Sequence, residues 1–160
     1  MAGTPPYDRL MQRSEELAPL SREHHVALEV ALRLRRATAE DAGAARAAFL
    51  AFFEDEAREH FRAEEELLLP AFSRHVPDDD PDVVRVLVEH VEIRRRAQDL
   101  AAGPCDLTDL HELGELLNAH VRHEERTVFP RVEAALDPLE LAALGAALSA
   151  EGGDHHPPRR

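Results

Sequence analysis

Two stretches of the chain carry the same phrase. "HFRAEEELLLP" runs from His60 to Pro70 and "HVRHEERTVFP" from His120 to Pro130, each with His, three intervening residues, two Glu and a closing Pro. Imidazoles and carboxylates bind metal ions and move protons. Four residues is about one turn of helix, so each His–Glu pair projects side by side from one face. A shorter echo precedes each phrase: "REHHVAL" before the first and "VEHVEIR" before the second. Aligning "EH" with "EH" matches His24 to His90.

The neighbours of these residues are apolar at helical spacing. Around His60 and Glu64 the stripe is Phe49, Leu50, Phe53, Ala57, Leu67 and Leu68. Around His120 and Glu124 it is Leu110, Leu113, Leu116, Leu117, Thr127 and Val128. His90 has Val83, Val86, Leu87, Ile93 and Ala97, and His24 has Leu17, Leu20, Ala27, Leu28 and Ala31. His25 has Ser21, Arg22 and Glu29 at most of its corresponding offsets, so His24 is the inward residue of that pair. Each half of the chain thus supplies a lone His on one helix and a His-x-x-x-Glu on the next.

Any one of these six residues reads as a satisfied core His or a partly buried ion pair. All six in a repeated order call for more. Burying two carboxylates without compensation is costly, and the chain has no Lys to offset them. A pair of metal ions removes that cost. Two imidazoles per ion and two shared carboxylates suit metals such as iron. Zinc competes, but a single zinc site needs only three or four of the six groups. The H-E-x-x-H of zinc proteases is absent.

Helix punctuation supplies the elements that must position these groups. Residues 1–19 form a lead, with helix expected over Tyr7–Leu17. Ser21 is expected to cap a first helix running to Thr38, and Asp41 a second running to His75. Asp80 before Pro81 is a cap followed by Pro at the first helical position, opening a third helix to Ala102. A fourth runs from Asp106 to Leu136. Asp137–Pro138 repeats the signal and opens a short fifth helix to Ala150. Residues 151–160 read as a disordered tail. No long period-two alternation marks a strand. The fold class expected is all-α: an antiparallel up-down four-helix bundle over residues 20–136, with an accessory helix over 137–150.

Composition agrees with that class and excludes others. The chain has 160 residues, 44% hydrophobic and only 4% aromatic, rich in Ala, Leu, Glu and Arg. That mixture favours helix. A net charge of −13 disfavours nucleic acid or an anionic membrane as partner. The single Cys105 excludes an internal disulfide and fits a reducing compartment. With no basic start or apolar run at Met1–Pro6, the expected location is the cytoplasm.

The order His24, His60-x-x-x-Glu64, His90, His120-x-x-x-Glu124 resembles the haemerythrin-like (HHE cation-binding) domain, and the Pro closing each phrase is also typical. The resemblance covers about residues 20 to 133. It implies a four-helix bundle holding two non-haem iron ions per chain, with a solvent-derived oxo or hydroxo bridge. His24, His60, His90 and His120 would be imidazole ligands, and Glu64 and Glu124 bridging carboxylates. Oxygen-carrying haemerythrins have a fifth His ligand and an Asp one residue further along in the last motif, where this chain has His120-x-x-x-Glu124. The implied function is therefore binding of, and reaction with, oxygen, peroxide or nitric oxide, in stress response or sensing. The alternative is iron storage, donation or sensing without turnover. Storage is the weaker class, because the Glu-x-x-His of ferritin-like sites is absent.

Other polar residues leave alternatives open. Glu65 and Glu125 fit either acceptors for ligand imidazoles or solvated ion pairs with a neighbouring Arg. His123 and His25 are the candidates for a fifth or substitute ligand, with surface placement as the default. His75 and His111 fall near helix ends. The run Arg94–Arg96 spans most of a turn and reads as a solvated face.

Overall fold

A computed structural model describes residues 13–153, which form five helices and no strand. The expected lead helix lies outside the described residues as far as residue 12, and residues 15–17 form a turn. Helix α1 is Ala18–Arg35. It begins three residues before the expected cap, because Pro19 fits the first helical turn rather than ending a segment. Ser21 therefore lies inside the helix, with its hydroxyl free for another partner.

Helix α2 is interrupted twice. It comprises Ala42–Phe52, a π-helical turn Phe53–Ala57, Arg58–Ala63, a second π turn Glu64–Leu68, and Leu69–Ser73. Asp41 stands at its N-cap position, but its carboxylate accepts from the N–H and hydroxyl of Thr38 instead. Helix α3 is Pro81–Ala102, capped as expected by Asp80, which accepts from the N–H groups of Asp82 and Val83. Helix α4 comprises Leu107–His123, a π turn Glu124–Val128 and Phe129–Ala135. Asp106 and Asp109 cap it reciprocally. Helix α5 is Pro138–Gly153, three residues longer than expected, with Asp137 accepting from the N–H groups of Leu139 and Glu140. Residues 154–160 of the expected tail lie outside the described residues.

The π turns at Glu64 and Glu124 have a local cause. Pro70 and Pro130 each lack an N–H and crowd the carbonyl four residues back. Just before each Pro the helix widens, so that the N–H of Leu69 bonds to Glu64 O and that of Phe129 to Glu124 O. Both carboxylate-bearing residues therefore sit where helix register changes, a frequent arrangement at functional sites.

Cross-helix contacts pair beginnings with ends. Arg35 of α1 meets Glu115 of α4 at 2.7 Å, while Ser21 of α1 meets Glu125 of α4 at 2.7 Å. Arg46 of α2 donates to the carbonyls of Leu100 and Gly103 at the end of α3. Arg131 of α4 holds Asp80 at the start of α3 at 2.7 Å. Helices α1 and α4 approach closely at Gly114, where a Cβ would lie 2.8 Å from the Ala31 carbonyl oxygen.

Apolar side chains gather in two clusters. One contains Ala27, Ala31, Phe49, Phe53, Phe61, Ile93, Leu113, Leu117 and Val121. The other contains Leu17, Leu20, Leu68, Phe72, Val86, Val128 and Phe129, and Leu144 and Leu148 of α5 close it. The six residues singled out in the sequence fall between these clusters along every helix. No helix among the described residues is long and apolar enough to cross a membrane.

Candidate metal centre

Seven polar side chains are buried among the described residues: the cap Asp80 and His24, His60, Glu64, His90, His120 and Glu124. Four helices bring the last six together. His24, His60, Glu64 and Glu124 form one group of donor atoms, and Glu64, His90, His120 and Glu124 a second. Within each group the donors lie within 4.8 Å of one another, and both groups use both carboxylates. Each imidazole Nε2 stands 3.1–3.3 Å from a carboxylate oxygen: His24 and His120 from Glu124, His60 and His90 from Glu64. Donor atoms at right angles on one ion, each bonded at about 2.1 Å, lie about 3 Å apart.

The other ring nitrogens explain why these atoms converge. Every Nδ1 meets a carboxylate: His24 with Glu125 at 2.6 Å, His60 with Glu23 at 2.6 Å, His90 with Glu65 at 2.8 Å and His120 with Glu89 at 3.0 Å. A carboxylate only accepts, so each Nδ1 carries a proton and donates it. A neutral ring then presents a bare lone pair at Nε2. The four steering residues make a circuit. Glu23 of α1 holds His60 of α2, Glu65 of α2 holds His90 of α3, Glu89 of α3 holds His120 of α4, and Glu125 of α4 holds His24 of α1.

The inner atoms are left without hydrogen-bond partners. Both oxygens of Glu64, Oε2 of Glu124, and Nε2 of His90 and His120 are buried and unsatisfied. The Nε2 atoms of His24 and His60 face each other at 2.9 Å, a contact that two lone pairs cannot hold. Only protons or metal cations reconcile such a set. Protons leave their mark on the acidities. Burial works against a charged His60, yet Glu64, Glu23 and Glu124 outweigh it and raise the imidazole well above its usual range. For His90, burial is likewise outweighed by Glu64 and Glu65, and the ring is pushed up to about 9. Burial also opposes ionisation of Glu64, but His60 and His90 hold it well below the usual carboxylate range. Ligand imidazoles must release such protons when a metal enters.

The donor set is thus of metal-ligating type, and it lies in the order His, His-x-x-x-Glu, His, His-x-x-x-Glu. Residues 16–132 match the Hemerythrin HHE cation binding domain family. The chain belongs to this family. No curated protein and no solved structure matches the chain. The HHE family accounts for the buried polar layer as a metal-binding layer, and the unsatisfied atoms of this chain fit that reading.

Second-layer contacts complete the HHE site. Glu125 also accepts from Ser21 Oγ at 2.7 Å and Arg13 at 2.9 Å. Arg94 grips Glu65 with two bonds of 2.8 and 3.1 Å and lies over the Phe61 ring while remaining partly exposed, so it serves the site as well as the solvated face. Arg85 holds Glu89 at 2.8 Å. Both readings left open for Glu65 and Glu125, imidazole acceptor and Arg partner, are realised together. Phe61 stacks on His90 with ring centroids 3.9 Å apart, and Phe129 stacks on His24 at 5.3 Å.

His25 is exposed and His123 is outside both donor groups. The His123 side chain is nevertheless largely buried, with Nε2 3.3 Å from Asp82 Oδ1. His75 pairs with Glu140 of α5 at 3.1 Å, and His111 contacts the Ala37 carbonyl at 2.8 Å. A narrow pocket reaches the layer beside His24, His60 and His120. Its walls are mainly Ala27, Phe52, Ala57, Phe61, Leu117 and Val121, and Glu23 and Glu56 stand on its lining. Burial, followed by repulsion from Glu23 and Asp55, raises the Glu56 carboxyl above its ordinary value.

Proposed function

We propose that this HHE domain is an antiparallel up-down four-helix bundle over residues 20–136, with α5 as an accessory helix. Two non-haem iron ions with a solvent-derived bridge would occupy it. His24 and His60 would hold one ion and His90 and His120 the other, with Glu64 and Glu124 serving both groups. The observation that carries this reading is the convergence of unsatisfied Nε2 and carboxylate atoms between two apolar clusters. An iron pair supplies adjacent one-electron chemistry to a small ligand, here oxygen, peroxide or nitric oxide.

The chain's own residues select that ligand class. The narrow, mainly apolar pocket disfavours larger molecules, and among the described residues its polar lining besides His24, His60 and His120 is Glu23 and Glu56. The four steering carboxylates fix the rings and keep each Nδ1 protonated. Phe61 and Phe129 keep water from the faces of His90 and His24. The net charge of −13 and the single Cys105 support a cytoplasmic protein without nucleic-acid or membrane partners. Stopped-flow absorption tests the reading. Protein loaded with ferrous iron under argon should react with oxygen, peroxide or nitric oxide in a fast phase that a Glu64→Ala/Glu124→Ala variant lacks. No reaction with any of the three would leave iron storage or sensing as the function.

A further inference from the structure

The four steering carboxylates make equivalent contacts but are unequally supported. Glu65 is gripped by Arg94, Glu89 by Arg85, and Glu125 by Arg13 and Ser21. Glu23 has no cation beside it among the described residues. Its side chain is 48% exposed, against 28% for Glu65 and Glu125 and 13% for Glu89. Its acidic neighbour Glu56 repels it across the pocket lining. A carboxylate held by Arg keeps its place, whereas one shared with water and facing like charge exchanges its hydrogen bond readily.

The same corner of the domain is open. The pocket that reaches the polar layer passes Glu23 and Glu56 and touches His24, His60 and His120, with space for about one water-sized molecule. It arrives beside the π turn Phe53–Ala57, which carries Glu56 and has no counterpart ahead of His120 in α4. Phe61, which also lines the pocket, stacks on His90 at 3.9 Å, closer than Phe129 lies to His24 at 5.3 Å. The repeat is thus two-fold in its ligands but uneven in support: the carboxylate that steers His60 alone lacks a bracing Arg among the described residues.

We propose that Glu23 is a positioning residue that makes the His24–His60 half of the centre the exchangeable half, the one that releases its metal first. The His90–His120 half, braced by Arg94, Arg85 and Phe61, retains its metal. This rests on the two-metal reading above. It assigns different roles to the two halves, which the repeated ligand pattern does not.

Release of ferrous iron to a chromophoric chelator under argon tests the proposal on the full chain. Two phases of one equivalent each are expected. Glu23→Gln keeps an acceptor oxygen but removes the charge, and Glu23→Ala removes both. Each should speed the fast phase, Ala by about tenfold, and leave the slow phase unchanged. Glu65→Ala should speed the slow phase instead. Glu56→Arg places a cation opposite Glu23, as Arg94 stands to Glu65, and should slow the fast phase. Exposed Glu59→Ala should change neither. A single phase releasing two equivalents, or equal acceleration of both phases by Glu23→Ala, overturns the inference while leaving the two-metal reading intact. A chain that takes up no iron overturns both.

Discussion

His24 turns between helices, while His25, one residue on, faces a surface groove with Glu29, Arg35 and Arg122. The apolar offsets around each residue already separated them in the sequence. If that separation decides ligation, His24→Ala should lose at least one of the bound metal equivalents, and His25→Ala should keep both. Elemental analysis of the two variants after iron loading checks this, and the reverse outcome would shift the first ligand by one residue. The burial of all six side chains was legible because each His, or His–Glu pair, interrupts an apolar stripe and the order repeats. Glu23 and Glu89 were written in the same "EH" pairs, yet their roles were not legible. Adjacent helical residues point about 100° apart, so each Glu serves a ring on the next helix, and only tertiary structure pairs them.

Helices α1 to α4 follow their sequence caps where Asp meets Pro or Asp, and depart where the signal was ambiguous. Asp80 and Asp106 cap as their positions imply, whereas Ser21 sits inside α1 and serves Glu125. The π turns were not legible. Each adds a residue to a turn and shifts the facing positions, so three-and-four counting fails across it. Phe61, four residues past Ala57 and three before Glu64, fits the three-and-four spacing although it was left off the expected stripe, and it is buried against His90. Leu87, placed on the stripe of α3, is 41% exposed. Close approach of α1 and α4 depends on Gly114. Ala is a better helix former by up to about 1 kcal/mol. Its Cβ would meet the Ala31 carbonyl and the Arg35 N–H group under 3.0 Å, and overpacking costs roughly 1–3 kcal/mol. Gly114→Ala should therefore lower stability by about 1 kcal/mol or more in urea denaturation. A gain in stability would show that the helices separate freely at that point.

The whole molecule is a polar layer held between two apolar clusters, closed beneath by α5. Two carboxylates with at most 1% exposure lie in that layer, and no Lys is present to offset them. Without metal, the raised imidazoles provide the compensating charge as protons. With metal, the same Nε2 atoms would serve as ligands, because Glu23, Glu65, Glu89 and Glu125 already aim them at the shared carboxylates. Both donor groups share Glu64 and Glu124, an arrangement that supports the proposed pair of ions. The most direct test is the metal content of the full chain, loaded with ferrous iron under argon and freed of loose metal by gel filtration. The account predicts two irons per chain, falling below one in the Glu64→Ala/Glu124→Ala variant. One iron or none per wild-type chain would contradict it.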